Sequence, residues 1–266
     1  MAIEVEKTRS FQQFRTLQGP LLAHQFGEVR MQRPNLVYPR HQAVQVLLAP
    51  RTQSAPGVFR GRFFLVYLQK RLIARKKLVV IDAGIRGEES RTRRIAEPVI
   101  EALAKRYEIT RFDLTKMPME PLTPETYAQR ASGIVPAWAL KAARTIAEAD
   151  RIVVAAPFWD MSFPAVVKVF FEHVSLFDIT FTDNGRTCVG KCKCEKVMYI
   201  TTRGMNIPTG DAREQGSSYL HALSELWDLG TVLTVAAWNL DYATPEEVEE
   251  KIENTTRFGL RLAASF

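Results

Sequence analysis

The sequence predicts a doubly wound α/β sandwich, in which a five-stranded parallel sheet lies between two layers of helices. Three features carry that expectation. From residue 77 onward, short apolar runs alternate with longer stretches whose apolar residues recur at helical spacing. Within the runs, apolar residues are consecutive rather than alternating, as strands covered on both faces require. Loops rich in hydroxyl, aromatic and arginine side chains follow the first, third and fourth runs, at the strand ends where such folds bind ligands.

Element by element, residues 77–82 form the first strand and 83–89 the loop behind it. Ser90 opens a helix to about residue 106, with Ile95, Val99 and Leu103 on one face. Residues 109–114 are the second strand, and the proline-rich stretch 117–136 is an irregular connection. A helix over 138–148 leads to the third strand, 150–156, which Pro157 stops. Helix 163–176 tolerates Pro164 in its first turn. Segments 179–182 and 187–189 read as a hairpin turning at Asp183-Asn184-Gly185. A fourth strand (196–202), a helix (216–229), a fifth strand (231–237) and a closing helix (245–264) complete the pattern. There is no internal repeat.

Of 266 residues, 46% are hydrophobic and 24% charged, which excludes a disordered or collagen-like chain. The apolar run 152–158 is far shorter than the roughly 20 residues of a membrane-spanning helix, so no membrane association is expected. Three cysteines exclude a disulfide scaffold and suit a reducing, cytoplasmic setting. The net charge of +7 is uneven: residues 1–76 hold 13 Lys/Arg against three acids, while 77–266 carry 23 against 26. The body is thus slightly acidic, and overall basicity gives no reason to expect a nucleic-acid partner.

Residues 1–76 lack Asp and show no sustained period, so a basic, poorly ordered extension is expected, with the folded domain spanning 77–266. An organellar presequence, or a basic arm touching nucleic acid or anionic lipid, are the alternatives.

The loop 83–92 joins a strand to a helix N-terminus, where free N–H groups and the helix dipole attract an anion. Ser90, Thr92 and Arg91 add donors, although neither a Walker loop nor G-x-G-x-x-G is present. As an alternative, Ser90 is an ordinary helix cap. In the loop 157–161, Phe158 and Trp159 suit a planar ring, or else simply pack in the core or an interface. At 201–205, hydroxyls and amides suit a pyrimidine-like edge, with Arg203 or backbone N–H groups stabilising charge that develops on it, or else the segment is simply a polar strand-to-loop transition turning at Gly204.

Together the loops resemble those of flavodoxin-like FMN-dependent NAD(P)H oxidoreductases, the azoreductase and quinone-reductase family. The resemblance covers 77–266 and none of 1–76. Its most specific stretch is 151–168, matching the family's strand, "AAP-aromatic" loop and "P-x-x-L-K" helix without a gap. Thr180-Phe-Thr-Asp-Asn-Gly185, followed by Gly190-Lys191, is similar to the family's "TF-x-YTE-x-G…GK" segment, and Tyr199-Ile-Thr-Thr-Arg-Gly204 to its "ITSRG" loop. The resemblance implies a phosphate loop at Gly84, Ser90, Arg91 and Thr92. It implies an isoalloxazine-contacting loop at Pro157, Phe158, Trp159, Asp160 and Met161, and a pyrimidine-edge loop at Thr202, Arg203 and Gly204.

Three positions depart from the family pattern: Asp160 for a common Asn, Gly84 for a common Ser, and Met205 for a second Gly. The implied activity is ping-pong transfer of two electrons from NADH or NADPH, through FMN, to a quinone, azo or similar planar acceptor, without a side-chain nucleophile. The implied assembly is a homodimer, with Trp159 and Phe177 at a shared mouth.

Cys188, Cys192 and Cys194 are expected as free thiols, the last two alternating as on a strand, with a metal site or redox pair as alternatives. His173 and His221 fall on helices as packing or surface residues. The competing functions are an electron-transfer or redox-sensing flavoprotein and a flavin-free nucleotide-binding module. The body's small negative charge argues against the strongly acidic docking face of a carrier.

Overall fold

The computed structural model describes residues 75–266; the extension expected over 1–76 lies almost entirely outside them. Five strands form one parallel sheet: β1 (Lys76–Asp82), β2 (Tyr107–Asp113), β3 (Arg151–Ala155), β6 (Lys196–Thr202) and β7 (Thr231–Ala237). Their order is β2-β1-β3-β6-β7. β4 (Phe181–Asp183) and β5 (Cys188–Gly190) form a separate antiparallel hairpin, with Thr182 opposite Val189.

The period-2 geometry of the strands splits the core in two. Val79, Ile81, Ile152, Val154, Val197 and Tyr199 face α3 (Ala137–Ala147), α4 (Ala165–Val174) and α5 (Gln215–Trp227). Leu78, Val80, Val153, Met198 and Ile200 face α1 (Arg91–Ala104) and α6 (Pro245–Ala264). Three layers result. Right-handed crossovers require this division, because the chain leaves β1 in one direction along the sheet and returns past it in the other. The loops after β1 and β3 therefore diverge to opposite faces and open a crevice between the two strand ends.

One expected connection proves partly helical. Residues 117–136 include α2 (Pro124–Ala131), which buries no side chain and so has no apolar stripe to reveal it. Its N-terminus is well specified nonetheless. The Thr123 hydroxyl accepts from the Thr126 N–H at 3.2 Å, and the Thr126 hydroxyl accepts from the Thr123 N–H at 2.8 Å. Pro124 in the first turn starts this helix rather than breaking it.

Cys192 and Cys194 also differ from expectation, lying in an irregular segment rather than a strand. All three cysteines are free thiols, with Cys188 exposed and the other two buried. Burial pushes the Cys192 and Cys194 thiols up to about 12, which leaves them protonated and unreactive near neutrality. His173 packs on Trp138, its Nε2 2.8 Å from the Glu120 carbonyl.

Candidate functional site

Short hydrogen bonds draw the three loops together at the carboxyl ends of the strands. The Ala83 N–H donates to the Ala155 carbonyl at 2.8 Å, and the Phe158 N–H to the Thr202 carbonyl at 3.0 Å. The hydroxyls of Thr92 and Thr202 lie 2.7 Å apart, both buried. Between the loops is a cleft of about 180 Å³. Its wall holds Ser90, Arg91, Thr92, Pro157, Phe158, Trp159, Thr202, Arg203 and Gly204, with Arg86, Leu240 and Asp241.

On the α1 side the helix start is arranged for an anion. Ser90 is the N-cap, its hydroxyl accepting from the Arg93 N–H at 3.3 Å. The N–H groups of Arg91 and Thr92 have no acceptor among the described residues, as first-turn donors of a helix generally do not. Two hydroxyls sharing one contact, Thr92 and Thr202, hold one proton more than that contact uses. Arg91 brings a positive charge to the same end.

Gly84 stands outside this wall. Its N–H donates to Asp82 Oδ1 at 2.9 Å, and a Cβ there would fall 2.5 Å from Arg93 Nε. Arg93 and Arg111 converge on the fully buried Asp82 carboxylate, at 2.9 and 2.6 Å. The glycine therefore gives Arg93 room to reach Asp82, and the paired charges brace the loop from below.

Opposite, residues 159–162 close a tight turn. The Trp159 and Ser162 backbones exchange hydrogen bonds at 2.8 and 2.9 Å. Both central residues, Asp160 and Met161, are left-handed, with φ of 49° and 66°. A two-residue hairpin turn of this hand favours Asn or Gly, so aspartate and methionine store strain here. The Gln215 N–H fixes the turn by donating to the Met161 carbonyl at 2.9 Å. Asp160 and Met161 are exposed beyond the cleft wall, while Trp159, 44% exposed, offers its indole at the mouth.

Arg203 contributes backbone rather than charge. Its guanidinium is fully buried, donates to the Ile207 carbonyl at 3.0 Å and the Thr209 hydroxyl at 3.2 Å, and lies 3.6 Å from the equally buried Glu214. It also lies over the Phe158 ring, 5.7 Å from its centroid. Burial lowers the Arg203 pKa, with Glu214 opposing the shift. This side chain is therefore committed to Glu214, and charge stabilisation at the loop falls to main-chain donors. The N–H groups of Gly204 and Met205 are free of acceptors among the described residues.

A fourth segment, after β7, completes the wall and was missed by the sequence reading. Leu240 is buried beneath the cleft, and Asp241 Oδ1 sits 3.0 Å from Arg91 Nη1. The same strand-end rule that selects the other loops selects this one, but no motif marks it.

A sequence model described as the flavodoxin-like fold matches residues 76–257. The chain belongs to the flavodoxin-like family. Within this family, the FMN-dependent NADH:quinone oxidoreductase of Clostridium perfringens is 30% identical over 203 residues, spanning 71% of this chain and 99% of the relative. The FMN-dependent NADH:quinone oxidoreductase 2 of Clostridium acetobutylicum is 31% identical over 199 residues, with the same coverage. Among solved structures, an azoreductase from Bacillus anthracis superposes with a TM-score of 0.61 at 18% identity, over 72% of this chain and all of that one. This likeness bears on the fold. The strand order β2-β1-β3-β6-β7 places the family's crevice where the loops converge.

The donor set fits FMN. A phosphate needs several hydrogen-bond donors and a positive charge, which the Arg91 and Thr92 amides, the threonine hydroxyls and the Arg91 guanidinium provide. An isoalloxazine ring needs an aromatic wall with an unpaired amide at its polar edge, and the cleft offers Phe158, Trp159 and the Gly204 N–H for that purpose. Among the described residues no helix is long and apolar enough to cross a membrane.

Proposed function

We propose that this protein is an FMN-dependent NAD(P)H oxidoreductase acting on quinones, azo compounds or similar planar acceptors. The observation that carries the reading is the convergence of a free helix N-terminus, a strained aromatic turn and a loop with free amides on one cleft. FMN, when bound, would supply the two-electron hydride-transfer chemistry that links a nicotinamide donor to the acceptor. The chain's own residues bind and orient. Ser90, Arg91 and Thr92 hold the phosphate, while Pro157, Phe158 and Trp159 flank the ring. The Gly204 N–H would face its pyrimidine edge and stabilise negative charge there. Leu240 keeps water from the floor. NADH is the favoured donor, as in the names of the relatives.

Trp159, Met161 and Phe177 are exposed apolar side chains of the kind a homodimer that shares its active sites would cover. Three free thiols suit a reducing, cytoplasmic location.

Purified protein reconstituted with FMN is expected to be yellow and to consume NADH with menadione or an azo dye. A protein that stays colourless and inert would overturn the reading, and one that binds FMN but turns over no NADH would be a carrier.

The catalytic unit is proposed to span 77–266, although β1 begins one residue earlier, at Lys76. A chain shortened to start at residue 75 is expected to bind FMN within about twofold of the full chain, by fluorescence titration. An insoluble or flavin-free truncation would refute that boundary.

A further inference from the structure

Asp241 is the single carboxylate in the cleft wall among the described residues. It stands at the end that the Arg91 and Thr92 amides make suitable for an anion. Its Oδ1 lies 3.0 Å from Arg91 Nη1, and among the described residues Arg91 makes no other ion pair, although Glu249 is near enough to feel its charge. The fold holds this carboxylate in place. The Asn239, Leu240 and Asp241 N–H groups donate in succession to the carbonyls of Met205, Arg203 and Gly204, at 2.9, 3.3 and 3.0 Å. Gly204 leaves space for the side chain, since a Cβ there would come within 1.8 Å of Asp241 Oδ2. The glycine of the third loop thus accommodates an acid from the fourth.

We propose that Asp241 is a specificity-determining residue, an internal anion that competes with the flavin phosphate for Arg91 and sets how strongly the cleft prefers FMN to riboflavin. The inference rests on the FMN reading above. A phosphate entering this end meets an arginine already neutralised and a like charge beside it. Both effects weaken FMN and leave a flavin without phosphate untouched. Asp241 and Arg91 are partly exposed, with side chains 63% and 36% accessible, so solvent screening keeps the effect modest.

The test is titration of full-length apoprotein with FMN and with riboflavin, followed by quenching of flavin fluorescence. In Asp241→Asn, FMN is expected to bind about fivefold more tightly, with riboflavin moving less than twofold. Asp241→Ser should shift FMN in the same direction, which guards against a peculiarity of either replacement. Unchanged or weaker FMN binding by folded variants would overturn the proposal, because Asp241 would then position Arg91 rather than oppose the phosphate. Equal tightening of both flavins would overturn it as well, by showing relief of a steric rather than an electrostatic obstacle. If wild-type protein binds neither flavin, the FMN reading itself fails. If it prefers FMN and Asp241→Asn does not widen that preference, only the role of Asp241 fails.

Discussion

Replacing Glu214 with alanine is expected to cost the domain about 3–5 kcal/mol, the usual penalty for removing one partner of a buried ion pair. Glu214 and Arg203 are both fully buried and lie 3.6 Å apart. Without the carboxylate, Arg203 keeps two hydrogen bonds, to Ile207 and Thr209, but its charge has no counterion in the interior. A second loss adds to the first. Glu214 caps α5, accepting from the Gly216 and Ser217 N–H groups at 2.9 and 3.0 Å and from the Ser217 hydroxyl. The next residue, Gln215, anchors the aromatic turn through the Met161 carbonyl. Urea unfolding followed by circular dichroism measures the effect, and flavin binding should weaken alongside stability. The double variant Arg203→Met with Glu214→Ala should recover part of the loss, since it removes the charge together with its counterion. A single-variant cost below about 1 kcal/mol would mean that water reaches the pair.

Arg203 also shows how strand parity bears on the two readings that the sequence left open at this loop. Strand positions alternate between faces, so Arg203 shares parity with Tyr199, on the side of α3, α4 and α5. Thr202 shares parity with Met198 and Ile200, on the side of α1, and its hydroxyl reaches Thr92 there. Extending the alternation one residue past the strand was enough to turn the guanidinium away from the cleft. The expectation named both the guanidinium and backbone N–H groups, without using that alternation to choose. β6, β7 and α6 were legible to the residue because burial and capping agree in them. Thr244 and Glu247 form a reciprocal capping box at the start of α6. α2 was illegible for the opposite reason, having caps but no buried face. Asp241 was hidden because its partner, Arg91, is 150 residues away, a contact that only the assembled sheet creates.

The phosphate end of the cleft yields the second large prediction. Combining Ser90→Ala with Arg91→Glu is expected to weaken FMN binding about 100-fold, while riboflavin changes by less than about threefold. The two replacements act differently. Ser90 frames the helix start, and losing its cap costs about 1 kcal/mol of local stability, which loosens the Arg91 and Thr92 amides. Arg91→Glu replaces a charge-assisted donor with a repelling carboxylate, and hydrogen bonds to charged groups are worth about 1.5–3 kcal/mol each. Glutamate at 91 also faces Asp241, so two negative charges would share the end of the cleft that now holds one of each sign. Fluorescence titration of the folded double variant decides the matter, with circular dichroism to verify that α1 persists. Unchanged FMN affinity would move the phosphate away from this helix. An equal loss of riboflavin would instead make the damage structural, because a flavin without phosphate has nothing to lose at Arg91. The sign relative to Asp241→Asn is the stricter requirement. Two variants that change the same ion pair, one at each partner, must move FMN affinity in opposite directions if a phosphate binds beside the pair and competes for Arg91. No account of the pair as simple packing predicts that.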